Sequence, residues 1–278
     1  MGKFDGVLFA CDFDGTLASA PPHSHYDISV SAENRQAIET FIAQGGTFVV
    51  ASGRGHSSFQ NFAPLVPFNG PCLFANGAEI YDFVQDKAIK SFSLPPVAHS
   101  HLAELLDEFP TLAMEFYCPN DRLFIVHPNE ISYSHLNHLS ITFEQGELSD
   151  VPQTDWYKVL IEQEHEVLAK AKDFINSRWR NHYECMFSHS VLLELNAKGV
   201  SKGNSVRWLA DHLGIAPQHI YCMGDNENDI SMLKVSAIPF APENAVPTVK
   251  ALPGLRLLPH HNDHAVAAAL ALLNRVYS

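Results

Sequence analysis

The stretch that most constrains this chain is Asp12-Phe13-Asp14-Gly15-Thr16-Leu17, which follows the apolar run Val7-Leu8-Phe9-Ala10-Cys11. A short, β-prone apolar run bounded by a turn reads as a fully buried strand, and the chain turns at Gly15. Two carboxylates, two residues apart, therefore stand at the carboxyl end of a buried strand, where open α/β sheets place their ligands. An unpaired buried carboxylate is costly, so a positive group is expected between them. A hard divalent cation such as Mg²⁺, which takes oxygen ligands, fits. An EF-hand loop also opens Asp-x-Asp, but it needs Gly at its sixth position and Glu at its twelfth, where this chain has Leu17 and His23. From the hexapeptide alone, an aspartate-capped structural turn stays open as the rival reading.

The chain has 278 residues, enough for one large or two modest domains. Its 31 acidic against 18 basic residues give a formal net charge of −13. Such a field disfavours nucleic acid and anionic membranes, and a phosphorylated substrate would need local cations to overcome it. The five cysteines (11, 72, 118, 185, 222) are odd in number, form no C-x-x-C pair and sit mostly in apolar runs. That suits reduced, buried thiols in a cytoplasmic protein. Gly2 invites a myristoylation reading, but Gly6 stands where Ser or Thr is required. No stretch approaches transmembrane length.

A polar, proline-bearing loop is expected at 20–29, then a helix from about Ser31 stopping at Gly45-Gly46. The strand Thr47 to Ala51 ends in Ser52-Gly53-Arg54. Gly53-Arg54-Gly55 opens like a dinucleotide fingerprint, but Ser58 replaces the third glycine. A hydroxyl with free backbone N–H groups at a strand end is instead a workable phosphate cradle. Cys72 to Ala75 reads as a third strand before the turn Asn76-Gly77, and the strand–helix–strand alternation predicts a parallel sheet. From about Phe83 the character changes. Helices at Val97–Phe109 and His165–Trp179 lie among strands near 112–118, 123–127, 156–162, 183–188 and 191–195, an α+β pattern that reads as an insertion. The α/β pattern returns at Ala197-Lys198-Gly199-Val200-Ser201-Lys202-Gly203 with a helix from Asn204. The strand His219 to Met223 then delivers Gly224-Asp225-Asn226-Glu227-Asn228-Asp229. Short strands near 237–240 and 255–258 precede a closing helix, Ala265–Val276.

Four turns thus share one edge of the expected sheet: Asp12/Asp14, Ser52, Lys202, and Asp225/Asn228/Asp229. The set suits phosphoryl transfer to a carboxylate. One aspartate attacks phosphorus, metal and lysine neutralise the equatorial oxygens, and a second aspartate handles the proton. Taken singly, each feature has a blander reading. Lys202 is a helix-start lysine with Lys198 as its nearest rival, and Ser52 is a turn serine. His260, His261 and His264 lack the spacing of a zinc site.

The chain resembles the haloacid dehalogenase-superfamily phosphatases, and most of all their Cof-type (type IIB), sugar-phosphatase-like branch. Asp12-Phe13-Asp14-Gly15-Thr16-Leu17 matches the first family motif, Ser52-Gly53-Arg54 the second, Lys202 the third and Gly224-Asp225-Asn226-Glu227-Asn228-Asp229 the fourth. Asn76-Gly77-Ala78 matches a further family element. The resemblance implies an α/β fold, a Rossmann-like parallel-sheet core in two segments (1–82 and 194–278) with an inserted α+β cap of the C2B type at 83–193. It implies that Asp12 is the nucleophile and a Mg²⁺ ligand, and that Asp14 is the general acid/base, with its carbonyl on the metal. Asp225 is the third metal ligand. Ser52, Gly53, Lys202 and Asn228 hold the phosphoryl group, and Asp229 supports the metal or Lys202. Arg54 and Asn76 position the cap or the substrate.

The implied activity is Mg²⁺-dependent hydrolysis of a small phosphorylated metabolite by a monomer or weak homodimer. A phosphomannomutase-like mutase is the alternative with the same core and cap. A non-catalytic regulator would be expected to have lost Asp12, Asp14 or Lys202. Two departures from the family pattern stand near the site rim: Pro242-Glu243 before Asn244-Ala245, and His264 where a glycine is expected. Arg122, Lys158, Arg178 and Arg180 are candidates for meeting a second anionic group of the substrate, or for a solvated surface.

Overall fold

The computed structural model describes residues 2–19, 28–119, 122–139, 142–153 and 155–277. Of the loop expected at 20–29, residues 20–27 lie outside the described residues. Five parallel strands form one sheet in the order β14 (Arg256–Leu258), β13 (Pro239–Pro242), β12 (Ile220–Met223), β1 (Leu8–Cys11) and β2 (Thr47–Val50). Every residue of β1 and β12 is buried, as expected for strands covered on both faces. The order reverses between β1 and β12. Their carboxyl ends therefore flank the crevice where such sheets bind ligands.

The helix Ala32–Ala43 is capped by Ser31, whose Oγ accepts the Asn34 N–H. The closing helix Ala265–Val276 buries Ala265, Val266, Ala269, Leu270 and Leu273 along one stripe. The helix Lys202–Leu213 starts at Ser201, whose Oγ accepts the Asn204 N–H, and ends at Gly214 in the left-handed conformation.

The third strand corrects one expectation. β3 (Cys72–Phe74) lies parallel beside β2 but joins its sheet through an isolated bridge, Leu73 to Ala51, rather than a ladder. It then runs antiparallel to β4 (Glu79–Asp82), which pairs with β5 (Lys87–Ser91) in a separate three-stranded sheet. The cause is local: Ala75, Asn76 and Gly77 all have positive φ, and this reverses the chain at once. At Gly77 a side chain is further excluded, since a Cβ would stand 2.6 Å from the Ser205 Oγ.

The third sheet has six strands in the order β10 (Tyr183–His189), β11 (Leu192–Ala197), β9 (Lys158–Glu162), β6 (Ala113–Tyr117), β7 (Leu123–Val126) and β8 (Glu144–Gly146). It is antiparallel except for β7 with β8. Met114, Phe116, Val159, Ile161, Leu193 and Leu195 form one apolar cluster with the helices Ala98–Glu108 and His165–Trp179. Strand alternation puts Glu115, Tyr117, Lys158, Leu160, Glu162 and Glu194 on the other face. A third helix, Glu130–Leu139, absent from the sequence reading, covers part of that polar face, where Leu136 meets Leu123 and Ile125. The main apolar cluster is built from residues before 90 and after 205, and the second from residues 94–195. Among the described residues no helix is long and apolar enough to cross a membrane.

Candidate active site

At the end of β1 the Asp12 N–H donates to the Met223 carbonyl of β12 (2.9 Å), which fixes the turn against its neighbour. Gly15 follows with φ +75°, and a Cβ there would lie 2.9 Å from Asp225 Oδ2. Glycine is thus required by conformation and by the close approach of the second acidic turn. Thr16 Oγ1 donates to Asp225 Oδ1 at 2.8 Å.

Lys202, the first residue of its helix, is wholly buried, and its Nζ donates to Asp12 Oδ1 (2.7 Å) and Asp229 Oδ1 (2.6 Å). Asp229 Oδ2 accepts the backbone N–H groups of Asp225 and Asn226. Oxygens of Asp12, Asp225 and Asp229 lie within 4.8 Å of one another.

Three carboxylates against one ammonium leave this cluster short of two positive charges. The electrostatics express that shortfall. Burial, then Asp229, pushes Asp12 well above the ordinary carboxylate range, with Lys202 only partly opposing. Burial and Asp229 also push Asp225 up to about 7, against the Thr16 hydrogen bond and Lys202. For Lys202, burial lowers the value, but Asp12 and Asp229 outweigh it and hold the ammonium charged. A divalent metal with oxygen ligands fits this donor set and its charge.

The turn after β2 supplies the other wall. Ser52 is buried, and its Oγ accepts the Arg54 N–H at 3.1 Å. A Cβ on Gly53 would come within 3.2 Å of Asn76 Oδ1, which itself accepts Asn228 Nδ2 at 3.1 Å. Asn76 is buried in the left-handed conformation, and its Nδ2 has no hydrogen-bond partner among the described residues. Arg54 clamps Asp14 with two hydrogen bonds of 2.8 Å and lies over the rings of Phe13 and Phe62.

A cavity of about 670 Å³ opens between these turns and the polar face of the six-stranded sheet. Asp12, Asp14, Gly53, Arg54, Asp225 and Asn228 reach it, whereas Lys202, Ser52, Asp229 and Asn76 form a buried layer behind them. Every residue expected at the site is therefore at or directly beneath one crevice.

Several contributors escaped the sequence reading. Thr16 lay inside the first motif without a role. Lys158, a candidate either for meeting a second anionic group or for a solvated surface, is not on the surface: it is buried at the cavity wall, donating to Glu194 (2.7 Å) and to the Gly53 carbonyl (2.8 Å). Asn226 Nδ2 reaches the Ser188 carbonyl of β10. Arg122 and Arg178 are paired on the surface with Glu144 and Glu104, and Arg180 is exposed. The periodicity of β9 and β11 marks Lys158 and Glu194 as face-sharing only once the two strands are known to pair. At the rim, Asn244 donates to the Gly15 carbonyl and accepts the His261 N–H. His264 adopts φ +62°, the conformation that a glycine at this position would supply.

A model of haloacid dehalogenase-like hydrolases matches residues 9–270, nearly the whole chain. The chain belongs to this family. Among relatives of this hydrolase is YxeH of Bacillus subtilis, 27% identical over 273 residues, covering 95% of this chain and 96% of that protein. Another is the 5-amino-6-(5-phospho-D-ribitylamino)uracil phosphatase YwtE of Bacillus subtilis, 27% identical over 268 residues, covering 87% and 89%. The haloacid dehalogenase fold recurs in the solved structure of the subclass IIB sugar phosphatase BT4131. That structure has a TM-score of 0.81 and 20% identity, covering 96% of this chain and 99% of that one. The family is one of phosphatase-type enzymes, and this hydrolase carries its parallel-sheet core with the additional antiparallel sheets.

Proposed function

We propose that this hydrolase is a Mg²⁺-dependent phosphatase for small phosphomonoesters, working through a phosphorylated Asp12. The observation that carries the reading is the buried Asp12–Asp225–Asp229 cluster with its single ammonium, at the floor of a cavity large enough for a metabolite. Mg²⁺ would be held by the Asp12 and Asp225 carboxylates and the Asp14 carbonyl, and it neutralises charge on the phosphoryl oxygens.

An Asp12 oxygen attacks phosphorus as the ester P–O bond breaks. The departing alcohol oxygen takes a proton from Asp14. Asp14 then removes a proton from water, whose oxygen attacks the same phosphorus; inorganic phosphate leaves and Asp12 is restored. Lys202 keeps Asp12 aligned and adds positive charge beneath the phosphoryl group. Asp14 is held by Arg54, so substrate entry has to open that pair and free the carboxyl group for proton transfer.

The residues between β5 and the end of β11, about 94–195 by their apolar packing, act as the cap in this reading and select the leaving group. Glu130, Ser134, Ser188, His189 and Glu194 suit a polyhydroxylated leaving group such as a sugar. A mutase stays the alternative reading: of the lining cations Lys158 is paired with Glu194, whereas Arg54 is freed once its pair with Asp14 opens. The five cysteines are free thiols, in keeping with a reducing, cytoplasmic setting.

Phosphate release from p-nitrophenyl phosphate and a panel of sugar, nucleotide and cofactor monophosphates, with Mg²⁺ and with EDTA, tests the reading. Mg²⁺-dependent release is expected. Isomerisation of a hexose monophosphate primed by a hexose bisphosphate, without net release, would establish the mutase instead.

A further inference from the structure

A second cluster of metal-ligand type lies in the six-stranded sheet, away from Asp12. Glu115 on β6 and Glu162 on β9 sit diagonally on one face, because Ala113 is opposite Glu162 in the register. Both are wholly buried. His135, from the helix Glu130–Leu139, comes down on the pair with its Nδ1 2.9 Å from Glu115 Oε1 and 3.3 Å from Glu162 Oε1.

The Tyr117 hydroxyl donates to Glu115 Oε2. Among the described residues neither oxygen of Glu162 accepts a well-aligned hydrogen bond, its contact with His135 Nδ1 being an ion pair only. Among the described residues no lysine or arginine is ion-paired with either carboxylate. With both carboxylates ionised, even a doubly protonated imidazole leaves one buried negative charge uncompensated, an arrangement that proteins rarely tolerate without a counter-ion.

We infer that Glu115, Glu162 and His135 form a second divalent-cation site, of zinc type. A mixed set of imidazole nitrogen and carboxylate oxygens suits zinc and its neighbours, whereas Mg²⁺ prefers an all-oxygen shell. Zinc bonds of about 2.0–2.2 Å in a tetrahedral shell place neighbouring donors roughly 3.3–3.5 Å apart, close to the spacing around His135 Nδ1. His135 lines the large cavity together with Glu130, Ile131 and Ser134 of the same helix. A cation thus has a route in, and its binding would pin the helix that walls the leaving-group side. The site stands independently of the hydrolytic reading.

The full-length protein is stripped with a chelator and dialysed into metal-free buffer with saturating Mg²⁺, and Zn²⁺ uptake is then followed by calorimetry and metal analysis. One equivalent should bind to the wild type and to Asp225→Asn, raising Tm in both. Binding should weaken by at least about tenfold in Glu162→Gln, with the Tm rise lost. Circular dichroism checks that Glu162→Gln folds, and His135→Asn, at a partly exposed ligand, decides if it does not. Substituted Co²⁺ should show the visible bands of a low-coordinate imidazole site in wild type and not in His135→Asn. Three results would overturn the site: no stoichiometric uptake, uptake lost in Asp225→Asn but kept in both cap variants, or no uptake with a Tm that climbs on acidification as the two carboxylates share a proton.

Discussion

Lys158 ties the six-stranded sheet to the turn after β2: its ammonium donates to the Gly53 carbonyl and to Glu194 while lying 4.3 Å from the centre of the Tyr117 ring. Both charged partners are nearly inaccessible to solvent. Lys158→Met strands a buried carboxylate, with only Ser188 still donating to it, and should cost about 3–5 kcal/mol. The double variant Lys158→Met/Glu194→Gln should recover most of that loss. Urea unfolding of the four proteins measures the coupling, and simple additivity would show that the pair contributes nothing.

Asp12→Asn keeps the size of the side chain and its contact with Lys202 but removes the carboxylate proposed to attack phosphorus. Turnover of p-nitrophenyl phosphate should fall by about 10³-fold or more, with circular dichroism unchanged. A variant retaining near-wild-type rates would end the covalent reading.

The acidic cluster makes metal-depleted protein sensitive to alkali. Burial holds Asp225 at about 7, against about 3.9 for an unfolded aspartate. The native state therefore keeps a proton that the unfolded state has lost. The stability this contributes is fully present below about pH 4 and disappears as pH rises through about 7. In EDTA, Tm should be lower at pH 8 than at pH 5. Asp225→Asn should flatten that slope, and Mg²⁺ at pH 8 should raise the wild-type Tm. Equal slopes in the two proteins would contradict the assignment.

Burial pushes the Cys72 and Cys185 thiols up to about 12 and raises Cys11 and Cys222 as well. All four stay protonated at pH 8, and the thiolate is the reactive form. Ellman's reagent should leave Cys11, Cys72 and Cys222 unlabelled in native protein for as long as full labelling takes in guanidinium. Rapid native labelling, located by mass spectrometry, would show that β1, β3 or β12 opens readily.

Elements with strong local signals were legible. The apolar runs of β1 and β12, the helix from about Ser31 and the stripe of Ala265–Val276 all read correctly from neighbours in sequence, whereas the helix expected from Asn204 starts at Lys202 behind its Ser201 cap. The helix Glu130–Leu139 did not. Ile131 and Leu136 are a thin apolar stripe among serine, tyrosine, asparagine and histidine, and the helix depends on Asn129, whose Oδ1 accepts the N–H groups of Ile131 and Ser132. β8 is three polar or glycine residues, defined by pairing rather than by pattern. At the site, the acidic turns were visible because strand ends deliver them. Lys158, Glu194 and His135 were hidden because their meeting depends on sheet register and on a helix that the pattern did not announce.

The placement of β1 also bears on how the molecule is made. Leu8 pairs with Thr47 on one side and with Ile220 on the other. During synthesis one edge of β1 stays unpaired until Ile220–Met223 has left the ribosome. The six-stranded sheet, built from the contiguous stretch Ala113–Ala197, has all its strands earlier. The six-stranded sheet can thus mature before the parallel sheet that carries Asp12, and a β1 of only four residues keeps the waiting edge a poor template for aggregation.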